Sequence, residues 1–143
     1  MTLRRISAGF NLKRGFSPQT LDEVQREASR LMDDVKVPST QRLAAAMVIE
    51  ELCTNIMEHS RATWLEIGVT YSGQGLFLSF ADDGLPFDPS PLLKQIPSSA
   101  RLKSSVDRHL GLYMISSLSR GFEYFRDELG VNIMQLEIIP ESG

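Results

Sequence analysis

One cysteine, Cys53, is the whole thiol content of this chain. That excludes an intrachain disulfide and a metal cluster built on cysteines, and it suits a reducing compartment. Long apolar runs are also missing: none approaches the roughly 20 residues that a helix needs to span a bilayer. The opening stretch MTLRRISAGFNLKRGF has basic residues but lacks the continuous apolar segment of a signal peptide. A cytoplasmic protein with no membrane attachment is expected. There is no basic excess either. The formal net charge is −3 and the Lys and Arg residues are dispersed, which removes the electrostatic case for direct nucleic-acid binding. Internal repeats and low-complexity tracts are absent.

What is present is an ordinary globular composition. With 42% apolar and 23% charged residues over 143 positions, the chain is long enough for one domain with a real core and no covalent staples. Arg4 to Leu12 alternates loosely and predicts a first strand. Ser17-Pro18 predicts a helix start, with Ser17 as N-cap and Pro18 at the first helical position. Leu21, Val24, Ala28, Leu31 and Val35 follow at helical spacing. Val37-Pro38-Ser39 ends that helix, and Ser39 or Thr40 can cap the next, which runs to about Ser60.

Two strands come next. Leu65, Ile67, Val69 and Tyr71 share one face of Trp64–Tyr71, and Leu76, Leu78 and Phe80 share one face of Leu76–Ala81. Ser72-Gly73-Gln74-Gly75 joins them as a hairpin turn. Their mixed opposite faces suit a sheet covered on one side. Asp82 to Asp107 is a long, Pro- and Ser-containing segment of the kind that serves function in a small domain. Leu110–Leu118 reads as a short helix with Gly121 at its cap, and Phe122–Arg126 with Val131–Ile139 as a closing hairpin. This order predicts an α+β fold: one domain over residues 1–143, with helices on one face of a mixed, mostly antiparallel sheet.

Three stretches carry chemistry. The first is Ile49-Glu50-Glu51-Leu52-Cys53-Thr54-Asn55-Ile56-Met57-Glu58-His59-Ser60. At helical spacing, Glu51, Asn55, Glu58 and His59 fall within an arc of about 100°, beside the apolar arc of Ile49, Leu52, Cys53 and Ile56. A carboxylate can activate a hydroxyl, and an amide oxygen suits magnesium, so the Glu51/Asn55 pair fits phosphoryl transfer. A solvated helix face with an incidental i, i+4 pair has the same spacing. The second stretch, Asp82-Asp83-Gly84-Leu85-Pro86-Phe87-Asp88-Pro89, leaves an apolar strand. It reads either as a strand-ending turn or as a carboxylate at a crevice, able to accept a hydrogen bond from the exocyclic amine of a base. Gly84 would allow a ligand close to the backbone. The third stretch, Arg108-His109-Leu110-Gly111-Leu112-Tyr113-Met114-Ile115, places one glycine before a helix. It is a plain helix start or a source of free N–H groups for phosphate.

Taken together and in this order, the three stretches resemble the N box and the two following glycine boxes of the GHKL ATPases, and among them the anti-sigma factor serine/threonine protein kinases. There the first box reads E-x-x-T-N-x-x-x-H, matched by Glu51, Thr54, Asn55 and His59. The second reads D-D-G-x-P-F-D-P, matched from Asp82 to Pro89. The third ends G-L-G-L-x-x-I, read here as His109-Leu110-Gly111-Leu112-Tyr113-Met114-Ile115, with His109 in place of the first glycine. The resemblance covers essentially the whole chain. It implies a two-layer sandwich of the GHKL (Bergerat) type that binds ATP and magnesium. By the same resemblance Glu51 would be the catalytic base and Asn55 the magnesium ligand. Asp82 and Gly84 would line the adenine pocket. Arg108, Gly111 and Leu112 would contact phosphate, and about 85–110 would form an ATP lid. The implied substrate is a serine or threonine on an anti-anti-sigma protein of STAS type. A sigma factor is the implied second partner, and the kinase would be a homodimer.

One departure divides the functional expectation. Where the third box of the family has two further glycines, this chain has Arg108 and His109. Either Arg108 supplies charge to the phosphates in place of bare backbone, or the site binds ATP weakly or not at all. In the second case the domain acts as a non-catalytic module that sequesters a protein partner. A detached ATP-binding domain of a histidine kinase is a third class, disfavoured because neither histidine sits on an upstream dimerisation helix. His59 is expected to be a structural residue at the helix edge, Cys53 an inert buried thiol, and Glu58 a surface acid.

Overall fold

The alternation read in the chain becomes a sheet with one buried face. The computed structural model describes residues 4–12, 17–73, 75–89, 91 and 114–140. Its elements are β1 (Arg4–Asn11), α1 (Pro18–Asp34), α2 (Ser39–His59), β2 (Trp64–Ser72), β3 (Gly75–Asp82), β4 (Ser119–Arg126) and β5 (Asn132–Ile138). The strands form one sheet in the order β1-β2-β3-β5-β4, and each described pairing is antiparallel. Both helices lie on one face, α1 against β1 and β2, α2 against β3 and β5. The α+β two-layer expectation holds.

Period two decides which side chains enter the core. Leu65, Ile67 and Val69 of β2, Leu76, Leu78 and Phe80 of β3, and Met134, Leu136 and Ile138 of β5 are buried beneath the helices. From α1 come Val24, Ala28, Leu31 and Met32. From α2 come Ala45, Val48, Ile49, Leu52, Cys53, Ile56 and Met57, a stripe at i, i+3, i+4 spacing wide enough to touch both the sheet and α1. Cys53 is fully enclosed, and burial pushes its thiol well up, so it is an inert core group as expected.

The ends of the elements differ in places from the sequence reading. Ser17 caps α1 as expected, its hydroxyl accepting from the Thr20 amide at 3.1 Å. At α2, however, Pro38 holds the cap position with no side-chain bond, and Ser39 is already helical. Pro38 itself is extended (φ −60°, ψ 150°), so the chain turns into the helix on the fixed proline ring rather than on a hydroxyl. Gly121 is not a helix cap. Residues 114–118 are helical and run directly into β4, with the Ser119 hydroxyl closing on the Ile115 carbonyl. Gly121 has φ +66° and sits where the β4–β5 register slips between Arg120 and Glu123, a bulge that only a residue tolerant of left-handed backbone adopts cheaply.

Candidate functional site

The site is built where β3 ends beneath the last turn of α2. Asp82 closes β3 on the buried parity of Leu76, Leu78 and Phe80, so its carboxylate points into the layer between sheet and helices and is 1% exposed. Its Oδ1 accepts from the Gly84 amide at 2.8 Å and from the Asn132 side chain at 3.1 Å. Among the described residues Oδ2 has no donor, although it is buried. The Ser60 hydroxyl lies close to the carboxylate, but its one proton goes to the Ile56 carbonyl at 2.7 Å. Burial pushes the Asp82 carboxyl above its ordinary value, against the opposing influence of Asn132, the Gly84 amide and the nearby Ser60 hydroxyl. A buried acceptor without a donor is uncommon in a folded protein. An incoming N–H group would satisfy it.

The neighbouring aspartate does a different job. Asp83 accepts from the Thr63 amide (2.7 Å), the Thr63 hydroxyl (2.5 Å) and the Trp64 amide (3.1 Å), fastening the end of β3 to the start of β2. Desolvation pushes its carboxyl up, but these hydrogen bonds together outweigh it and hold the group below its ordinary value. Asp82 thus keeps one carboxylate oxygen without a donor among the described residues, while Asp83 is committed to the scaffold.

Gly84 is fixed by α2. The amide of Leu85 donates to the Ser60 carbonyl at 2.6 Å, and a Cβ on Gly84 would stand 2.3 Å from that same carbonyl oxygen. The sequence reading assigns the close approach at Gly84 to a ligand; the close approach displayed here is to the end of α2. Gly84→Ala is therefore expected to cost on the order of 3 kcal/mol of stability, because the obstruction is backbone and cannot swing aside. Chemical denaturation measures it, and an unchanged midpoint would mean that the turn relaxes freely.

Asn132 was missed by sequence reasoning. It sits opposite Asp82 in the β3–β5 register, 1% exposed. Its Nδ2 also reaches the carbonyls of Gly84 and Leu85, each at 3.0 Å. Its Oδ1 accepts from the Tyr124 hydroxyl at 2.6 Å and from Arg126 Nη1 at 2.9 Å. A signal was available. Asn132, Met134, Leu136 and Ile138 share one parity, and a lone amide on the apolar face of a strand needs partners.

Glu51 and Asn55 sit one turn apart on α2. Both are half-buried, and neither side chain has a hydrogen-bond partner among the described residues. Desolvation pushes the Glu51 carboxyl up, with repulsion from Glu50 and Glu58 adding to it. Asn55 offers a neutral oxygen of the kind magnesium accepts. Among the described residues no cluster of three or more His, Cys, Asp or Glu could hold a metal. A magnesium ion here would take its remaining ligands from phosphate and water, as that ion commonly does. His59, at the end of α2, stacks on Phe87 with ring centroids 5.5 Å apart and planes 24° apart, and its Nε2 lies 3.9 Å from Glu58. It braces the segment after Gly84, in keeping with a structural role. Arg108, His109, Gly111 and Leu112 lie outside the described residues, as does the expected lid apart from 85–89 and 91. No helix among the described residues is long and apolar enough to cross a membrane.

Comparison with known proteins bears on the family and the fold. The histidine kinase-like ATPase domain family matches residues 16–136. No curated protein matches the chain. Among solved structures, the SiaB–SiaC complex from Pseudomonas aeruginosa contains a chain of similar fold. The TM-score is 0.60 at 15% identity, over 92% of this chain and 88% of that one. The histidine kinase AdeS of Acinetobacter baumannii matches at TM-score 0.46 and 20% identity, over 94% of this chain and 68% of that one.

Proposed function

The chain belongs to the histidine kinase-like ATPase domain family, and from that membership we propose that it is an ATP- and magnesium-dependent protein serine/threonine kinase. As a regulator it phosphorylates an anti-anti-sigma protein of STAS type, binds a sigma factor as its other partner, and acts as a homodimer. The observation that carries the nucleotide half of this reading is Asp82 Oδ2, a buried acceptor with no donor among the described residues. The exocyclic amine of adenine supplies the missing N–H. The kinase half rests on Glu51 and Asn55, two unpaired polar groups one turn apart on the same arc of α2. That a chain of similar fold occurs in a two-protein complex, SiaB with SiaC, supports a protein as the substrate.

In this reading Asp82 orients the base, Asn55 holds magnesium, and Arg108 with the backbone at Gly111 and Leu112 meets the phosphates. Magnesium, when bound, neutralises charge on the phosphate oxygens. Glu51 takes the proton of the partner's hydroxyl as that oxygen bonds to the γ-phosphorus. The bond from the γ-phosphorus to the bridging oxygen breaks, and ADP leaves with the electron pair.

Calorimetric titration with ATP, with and without magnesium, tests the premise. Magnesium-dependent binding in the micromolar range, about −8 kcal/mol, is the expected result. Absence of binding would reject the kinase. The Arg108-His109 pair in place of glycines would then mark a non-catalytic module that sequesters its partner.

A further inference from the structure

We infer that Asn132 is the positioning residue of the base-reading site: clamped by Tyr124 and Arg126, its amide anchors one oxygen of Asp82 and leaves the other free for an adenine amine. The inference rests on the nucleotide reading above and adds a residue that no motif of the sequence contains.

The orientation of the amide follows from its partners. Arg126 Nη1 stands 2.9 Å from Asn132 Oδ1, and a guanidinium can only donate, so the amide oxygen must face it. The Tyr124 hydroxyl, 2.6 Å from the same oxygen, donates there as well. Nδ2 therefore faces Asp82 and the turn after it. Its two hydrogens meet three acceptors: Asp82 Oδ1 at 3.1 Å and the carbonyls of Gly84 and Leu85 at 3.0 Å. The Gly84 carbonyl also receives Arg126 Nη1 at 2.9 Å. The two Asn132 hydrogens are thus enough for Asp82 and Leu85, and every member of the group is satisfied except Asp82 Oδ2.

This arrangement makes the two carboxylate oxygens unequal. The terminal torsion of an aspartate is broad and roughly two-fold, so an unsupported carboxylate samples many planes. Rotation here would break the bonds from both Asn132 and Gly84 to Oδ1. The carboxylate is held with one acceptor fixed in position, and a ligand need not pay to order it. The same amide holds the Leu85 carbonyl, so the base reader and the first residues after Gly84 form one rigid unit.

The test is titration of wild type, Asn132→Leu and Tyr124→Phe with ATP and with GTP, in magnesium, between pH 5 and 8. Leucine keeps the branched shape of Asn132 and removes both donors and the acceptor. ATP affinity is expected to fall about tenfold or more, GTP affinity much less, so the preference for adenine narrows. The pH at which ATP binding reaches its plateau should rise, because Asp82 loses a donor that favours its charged form. Tyr124→Phe deletes one hydroxyl without disturbing packing and should move both readouts the same way by a few-fold. It decides the matter if Asn132→Leu fails to fold. Were Asn132 only a structural residue, the variants would weaken both nucleotides equally and leave the pH profile in place, which overturns the inference alone. Wild-type protein that binds no ATP overturns the nucleotide reading together with it.

Discussion

Glu51→Gln is expected to bind ATP as the wild type does and to lose phosphoryl transfer by roughly 10²- to 10⁴-fold, the usual contribution of a positioned proton acceptor. The substitution keeps shape and polarity and removes only the basic site. Glu51 is suited to the role because its surroundings raise its pKa: desolvation first, then repulsion from Glu50 and Glu58. A carboxylate with a raised pKa accepts a proton more readily. The transfer rate should rise with pH as Glu51 ionises. Glu50→Gln removes one repelling charge and should move that rise to lower pH. Stability separates a lost base from a lost fold. A carboxyl whose pKa is raised in the folded state contributes stability below its unfolded pKa that is lost as pH rises through the folded value. Glu51→Gln abolishes that loss, so its melting temperature at neutral pH should hold or rise. Phosphorylation of the partner at a normal rate by Glu51→Gln would show that another group takes the proton.

The fold was legible because it rests on apolar periodicity. The stripe of α2 and the alternation of β2 and β3 are strong signals, and they placed the helices on one face of the sheet. The ends of elements were less legible. Pro38 and Gly121 act through backbone geometry that depends on tertiary neighbours, and a local reading assigned both caps to the wrong device. The site divides in the same way. Glu51, Asn55 and Asp82 stand in compact motifs, so spacing together with the family resemblance singles them out as candidates. The pairing of Asp82 with its supports could not be read so, since Asn132 and Arg126 are 50 and 44 positions away along the chain and meet it only through the β3–β5–β4 register. Asp83 shows the converse. It stands inside the motif, yet its three hydrogen bonds go to Thr63 and Trp64 at the start of β2.

Asp82→Asn should move ligand affinity and stability in opposite directions. An asparagine can keep its oxygen on the Gly84 amide and on Asn132, which places its NH₂ where Oδ2 stood. That NH₂ would confront the adenine amine, donor against donor. Loss of a hydrogen bond to a charged acceptor costs about 1.5–3 kcal/mol, and the mismatch adds to it, so ATP affinity should drop about 100-fold or more. Without ligand the balance reverses. Burial opposes the charge on Asp82 and raises its pKa in the folded state, so ionised Asp82 subtracts from stability as pH rises through that raised value. The amide carries no charge, and the Ser60 hydroxyl, which donates to Ile56, still has lone pairs to accept from the new NH₂. Asp82→Asn should therefore melt no lower than the wild type at neutral pH. Its advantage should shrink to nothing below the ordinary carboxylate range, where both side chains are neutral. Titration calorimetry and thermal melts across that range read the two effects separately. Unchanged ATP affinity would remove Asp82 from the base site. A lower melting temperature at neutral pH would mean that the charge of Asp82 supports the fold despite its burial.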